Sequence, residues 1–305
     1  MPIHSIAVAT DFSEHAKRAA HAGMALARHT GASLTLVHVD ELVDVRALAT
    51  LGQVPATFDA LASHHRRVID THVEEQRVAV AQLDSEIVVK SAVRSGAVDK
   101  ALPEFAGETG VDLLVIGSHG ESGSLRFLFG STAAKVSRST PCPVFVVRPG
   151  QERFPANGYR KIIVGIDHSA VSIPCLELAA NLLCEGGTVV CLHVWEEPSW
   201  MANAGGGDDE GIASNALGDA HRAEVERMDA FVGKLSGAAS FESRLRRGHP
   251  ASEILDEIDE GDADLVVVGT HRREGYEHIV GTVADRVLRH SKVPVALVPH
   301  YDVPE

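Results

Sequence analysis

Aromatic residues make up only 5% of this 305-residue chain, and it holds just four cysteines. No apolar run approaches the ~18 residues that a membrane-spanning helix requires. Each scarcity excludes something. With 45% hydrophobic residues but so few rings, the core must be aliphatic, as in a sheet rich in Val, Ile and Leu. Cys142, Cys175, Cys184 and Cys191 form no CxxC pair; three lie in apolar stretches and Cys142 sits between two prolines, so all read as reduced thiols. Positive charge is in deficit as well. A net charge of −14 leaves no global basic footprint for nucleic acid, although a few oriented N–H groups still suffice for a small phosphate ligand. Strand-like sequence, IHSIAVAT, begins almost at once with no basic-then-apolar leader, so a soluble cytoplasmic protein without a membrane partner is expected. The patterns GxGxxG and GxxxxGK[ST] are absent, which argues against a Rossmann dehydrogenase and a Walker-type NTPase. The 17 histidines are scattered without HExxH or paired ligand spacing, and His64 and His65 read as surface residues; no metal ligands are assigned.

What the chain does have, it has twice. SIAVATDFSEHAKRAAHAGMALARHTGASLTLVHV, from Ser5, pairs with KIIVGIDHSAVSIPCLELAANLLCEGGTVVCLHV, from Lys161. DLLVIGSHG from Asp112 pairs with DLVVVGTHR from Asp264, and GSTAAKVSRSTPCPVFVVRP from Gly130 with GTVADRVLRHSKVPVALVPH from Gly281. The spacing between copies is too long for a solenoid and suits a duplicated domain. Domains of residues 1–150 and 158–305 are therefore expected, joined through the polar, turn-rich RPGQERFPANGYR.

Within the first copy, apolar runs predict strands near Ile3–Ala9, Ser33–Val39, Glu86–Lys90, Asp112–Ile116 and Pro143–Val147. Helical patterns fall near Ser13–His29, Asp59–Leu83, Ala97–Glu108 and Ser131–Ser139. Near-continuous apolar strands alternating with helices predict an α/β fold with a parallel sheet covered on both faces. Such sheets bind ligands beyond the C-terminal ends of their strands, where strand order reverses.

The stretch GSHGESGSLRFLFGST, Gly117 to Thr132, lies between a strand and a helix start. Free N–H groups and the positive end of a helix dipole make that a site for phosphate. Asp11 follows the first strand, and Val39 and Asp40 end the second. A carboxylate there can accept two hydrogen bonds from a ribose diol, and a backbone at Val39 can read an adenine edge. Asp11 in DFSEH equally fits the N-cap of the next helix, and Asp167 in IDHSA repeats it. His38 and His193 also recur at equivalent places, as residues of the fold.

The loop reads G-x2-G-x9-G-[ST], from Gly117 and Gly120 to Gly130 and Ser131. With VATDFSEHA, LVHVD and PCPVFVV, it resembles the universal stress protein family, and both halves share the resemblance. The resemblance implies two tandem doubly wound domains like the adenine nucleotide alpha hydrolases, each a five-stranded parallel sheet of order 3-2-1-4-5. It also implies an ATP site, usually with a divalent cation such as Mg²⁺. Carried over, Asp11 would hold the ribose with Ala9 and Thr10 beside it, and Val39 would meet adenine. Gly117, His119, Gly120, Gly130, Ser131 and Thr132 would surround the phosphates. The second half keeps Asp167, Val194, Gly269, Gly281 and Thr282, but Arg272 and Arg273 replace the second glycine region. A left-handed backbone at Arg272 would cost about 1 to 2 kcal/mol, whereas its guanidinium would suit a phosphate. The resemblance further implies association through the last strands, Val144–Val147 and Val295–Val298, as a pseudo-twofold unit within the chain or a homodimer.

No nucleophile or general base stands out near the loop. The leading expectation is an ATP-binding stress-response regulator with slow or absent turnover and an unidentified protein partner. The rivals are a pure interaction protein with vestigial nucleotide binding, a weak ATPase, and an enzyme using an adenylate intermediate. Glu196–Asp219, glycine-rich and acidic, reads as a loop that Trp195 and Trp200 suit to a lid or a partner contact.

Overall fold

Strand-sized runs of Val, Ile, Leu and Ala bury both of their faces in the computed structural model, which describes residues 2–41, 56–118, 131–148, 150–151, 154–196, 210–233, 239–270 and 282–300. The first half runs β1 (Ser5–Thr10), α1 (Glu14–Thr30), β2 (Ser33–Asp40), α2 (Ala56–Ala81), β3 (Val89–Ser95), α3 (Val98–Thr109), β4 (Leu113–Gly117), α4 (Ser131–Ser139) and β5 (Val144–Val147). The second repeats it with β6 (Tyr159–Ile166), α5 (Ser172–Leu182), β7 (Leu183–Trp195), α6 (Glu210–Val232), β8 (Ser240–Arg247), α7 (Pro250–Glu260), β9 (Leu265–Thr270), α8 (Thr282–His290) and β10 (Val295–Pro299). Among the described residues no helix is long and apolar enough to cross a membrane.

Among the described residues ten strands form one sheet of order β3-β2-β1-β4-β5-β10-β9-β6-β7-β8. Each half therefore has the order 3-2-1-4-5, and every pairing within a half is parallel. The halves meet where β10 runs antiparallel to β5, with Ala296 opposite Phe145. Helices cover both faces, as a parallel sheet of such apolar strands requires.

Local chemistry explains the helix ends. The Ser13 hydroxyl accepts from the Ala16 amide at 3.2 Å and caps α1, while Gly31 ends it in the left-handed region at φ 73°. Small residues let α1 sit low on the sheet: a Cβ on Gly23 would lie 2.4 Å from Val8 Cγ2. At the opposite end of the strands, Asp112 accepts from the amides of His4 and Ser5 at 2.8 and 3.0 Å. Asp264 repeats the device on Arg160 and Lys161 at 2.9 and 3.0 Å.

Two elements differ from the sequence expectation. Strand β3 begins at Val89 instead of Glu86, because Val88 is 60% exposed and the pairing segment VKSAVRS is an edge strand with a half-exposed pattern. The Glu196–Asp219 loop is also shorter than expected, since α6 already starts at Glu210. Its Gly218 is tolerated on an exposed face, where an added Cβ would meet nothing within 4 Å. Residues 197–209 of that segment, with Trp200, lie outside the described residues.

At the seam between halves, Tyr159 is 3% exposed and its ring lies 6.1 Å from that of Phe145. Its hydroxyl has no hydrogen-bond partner among the described residues. A buried hydroxyl left unsatisfied costs about 1 to 3 kcal/mol. Tyr159→Phe removes that oxygen while keeping the ring, so it is expected to stabilise the fold by about 1 kcal/mol. Urea unfolding checks this; a lower midpoint would show that the hydroxyl contributes.

Candidate functional site

Because the strands of each half are parallel, their C-terminal ends lie on one edge, and β1 and β4 flank the point where strand order reverses. In the first half this edge carries Ala9, Thr10 and Asp11 at the end of β1, Val39 and Asp40 at the end of β2, and Gly117 at the end of β4. Ala9 is half-buried, and Val39 is 8% exposed and paired with Arg94 of β3. Gly117 pairs with Val147, and the next amide, of Ser118, donates to the Val147 carbonyl at 2.8 Å. The chain reaches the edge again at Ser131, where α4 begins through Ser131 and Thr132 with no acidic residue in its first turn.

Asp11 is not the cap of α1. Ser13 takes that role, and Asp11 stands two residues before it, with Oδ1 accepting from the Ser13 amide at 3.1 Å. Thr10 turns inward instead of toward the edge: its hydroxyl donates to Gln76 Oε1 at 2.7 Å and accepts from the Phe12 amide at 3.1 Å. What Thr10 offers at the edge is main chain. His119, Gly120 and Gly130 lie outside the described residues, as do Arg272 and Gly281.

The second half builds the same edge with different chemistry. Asp167 is exposed, and its Oδ1 accepts from the Ser169 amide at 3.0 Å and the Ser172 hydroxyl at 3.1 Å. Val194 is half-buried on β7. Gly269 is required by packing, because a Cβ there would lie 2.7 Å from Val171 Cγ1. Thr282 opens α8, whose first turn contains Asp285, bonded to Arg289 Nε at 2.7 Å. A carboxylate in the first turn opposes an anion at that helix end.

Both recurring histidines clamp the tip of the neighbouring strand. His38 Nδ1 donates to the Thr10 carbonyl at 2.8 Å, and His193 Nδ1 to the Ile166 carbonyl at 2.7 Å. Beside them stand different partners: the Phe12 ring stacks on His38 at 4.5 Å, whereas His168 lies 4.8 Å from His193. Phe12 and His168 share the left-handed backbone, at φ 65° and 59°. Among the described residues an acidic residue reaches both imidazoles only in the second half, where Glu224 of α6 does so. Sequence spacing missed this convergence because its members come from a loop, a strand and a helix; comparing Phe12 with His168 between the copies was the available signal. His65, read as a surface residue, is half-buried and reaches Asp40 at 3.2 Å, while His64 is exposed. A depression of about 720 Å³ along α2, lined by Arg67, Asp70, Glu74, Val78 and Gln82, includes none of these edge residues.

Comparison with known proteins fits this duplicated architecture. The model of the universal stress protein family matches residues 2–148 and again residues 158–299. The chain belongs to the universal stress protein family. Its universal stress protein relatives include Rv2005c of Mycobacterium tuberculosis, 25% identical over 294 residues and 96% of each chain. YxiE of Bacillus subtilis is 29% identical over 149 residues, covering 46% of this chain and 96% of its own. The crystal structure of a universal stress protein from Archaeoglobus fulgidus shares the fold at a TM-score of 0.64, with 18% identity, 98% coverage of this chain and 97% of the other.

Proposed function

We propose that the first half binds an adenine nucleotide, ATP with Mg²⁺, and that its occupancy alters conformation or partner affinity in a cytoplasmic stress-response regulator. The observation that carries this reading is the meeting of Asp11, Val39 and Gly117 with the start of α4 at the switch point of the sheet. Each offers what one part of the ligand needs. The Asp11 carboxylate suits a ribose diol, the backbone at the end of β2 suits an adenine edge, and a helix start free of acidic residues suits phosphate. Ser131 and Thr132 would lie beside the phosphates, with Gly120, Gly130 and His119 in the connecting loop. Mg²⁺ would neutralise phosphate charge there, where the hard oxygens of ATP and hydroxyl groups match its preference. Turnover is slow or absent in this reading.

Residues 1–150 and 158–305 are then two domains with unequal sites. For the second, Asp285 in the first turn of α8 favours the interaction reading, in which nucleotide binding by Asp167, Val194, Gly269, Arg272, Gly281 and Thr282 is weak or vestigial. The seam strands β5 and β10 pair with each other inside the chain, so a homodimer or an unidentified protein partner would use other surfaces.

The test is to denature purified protein, identify released nucleotide by mass spectrometry, and titrate stripped protein with Mg·ATP. One ATP per chain is expected. Asp11→Ala should weaken binding by at least ~10-fold, the loss of a hydrogen bond to a charged group, while Asp167→Ala leaves it unchanged. Absence of both released nucleotide and Mg·ATP uptake would favour the interaction-protein reading instead.

A further inference from the structure

His168 and Glu224, which distinguish the second half, meet the recurring His193 at one atom. His168 Nε2 lies 2.9 Å from Glu224 Oε1 and His193 Nε2 lies 3.2 Å from the same oxygen. All three candidate ligand atoms fall within 4.8 Å of one another. The side chains are 19%, 14% and 11% exposed, and Phe231 closes one side with its ring 5.7 Å from His168.

Hydrogen-bond bookkeeping leaves this arrangement incomplete. A carbonyl only accepts, so the bond to Ile166 fixes the proton of His193 on Nδ1. In the neutral ring, Nε2 then presents a lone pair to a carboxylate oxygen that also has only lone pairs. Either a proton or a cation must lie between them. Fixing a ring through Nδ1 on a backbone carbonyl is how proteins prepare Nε2 as a metal ligand.

The first half argues against a purely structural trio. There His38 keeps the same bond to the strand tip with Phe12 beside it, and α2 presents Gln76, bonded to Thr10, instead of an acid. The other imidazole nearby, His72 of α2, packs edge-on against Phe12 at 5.6 Å, and among the described residues no carboxylate pairs with His38. His168 and Glu224 are additions to a fold that its own first copy completes otherwise.

We propose that His168, His193 and Glu224 bind a divalent transition-metal cation of the zinc class. Two imidazoles and one carboxylate are the donor set of such ions. Tetrahedral zinc with bonds of about 2.0–2.1 Å places its ligand atoms roughly 3.3 Å apart, so the observed separations need modest adjustment around the ion. Three protein ligands leave a fourth position for water or an exogenous ligand. Arg227 lies 3.2 Å from the other carboxylate oxygen, Oε2, and is 62% exposed, so its charge is solvent-screened and Oε1 remains turned to the imidazoles. The proposal stands independently of nucleotide binding by either half.

The test uses the full chain stripped of metal, titrated with Zn²⁺ alone and, separately, with Co²⁺ followed by visible absorption. One Zn²⁺ should bind in wild-type protein. His168→Phe and Glu224→Gln, which install the residue types of the first half, should each weaken it by more than ~100-fold, beyond what outer-sphere changes alone produce. Circular dichroism checks that the variants fold. Cobalt should give d–d bands without thiolate charge transfer, a wild-type readout that also separates this site from the cysteines. Failure of wild-type protein to bind Zn²⁺, unchanged affinity in folded variants, or a thiolate band would each overturn the proposal.

Discussion

Raising the pH from 8 to 10 is expected to cost the folded chain about 6 kcal/mol through three thiols alone. Cys142, Cys175 and Cys191 are 4%, 1% and 0% exposed. Burial disfavours thiolate, pushing Cys142 and Cys191 up to about 12 and Cys175 up as well. An unfolded chain releases these protons near pH 8.5, whereas the folded chain retains them, so alkali favours unfolding. Their full stabilisation is present below that pH and declines as pH rises toward the folded values. At pH 10 each thiol forfeits about 2 kcal/mol, and the sum rivals the whole stability of a typical domain. Urea midpoints at pH 8, 9 and 10 measure the loss. Substitution of Cys175 by Ala should remove about a third of the slope, and a flat profile in wild-type protein would contradict the assignment. In native protein a thiol reagent should label Cys184, which is only half-buried, before the other three.

Phe145→Ala is expected to destabilise the protein by about 4 kcal/mol, the usual cost of emptying a fully buried phenylalanine site. Phe145 is 0% exposed, lies opposite Ala296 across the seam and packs toward Tyr159. Its location makes the readout informative. Both tryptophans, Trp195 and Trp200, belong to the second half of the sequence, while Phe145 belongs to the first. If the ten-stranded sheet unfolds as a unit, the tryptophan-reported midpoint falls together with the circular dichroism midpoint. A tryptophan signal left unshifted would mean that β5 and β10 do not couple the halves.

The strands β1, β4 and β5 were legible because they are buried along most of their length and read as short apolar runs, and β2, SLTLVHVD, was legible through its buried Leu34, Leu36, Val37 and Val39. Strand β3 was not, since an edge position permits VKSAVRS and the apolar signal of the preceding Ile87 and Val88 pulls the reading upstream. The start of α6 was obscured by Gly211, Gly218 and their acidic neighbours. At the candidate site, strand ends revealed Asp11, Val39 and Gly117. Side-chain direction remained hidden: only packing shows Thr10 turned toward Gln76, Ser13 acting as the cap, and Glu224 brought to two histidines remote from it in sequence.

The seam between β5 and β10 carries one more implication. Two identical chains meeting across a twofold axis must accept every substitution twice, once on each side. Here a peptide connection holds the two sides together at any cellular abundance, and each answers to its own stretch of sequence. Phe12 can become His168, and a first turn without acid can acquire Asp285, without altering the opposite side. The fused sheet is a permanent partnership of unequal members, free to divide its labour.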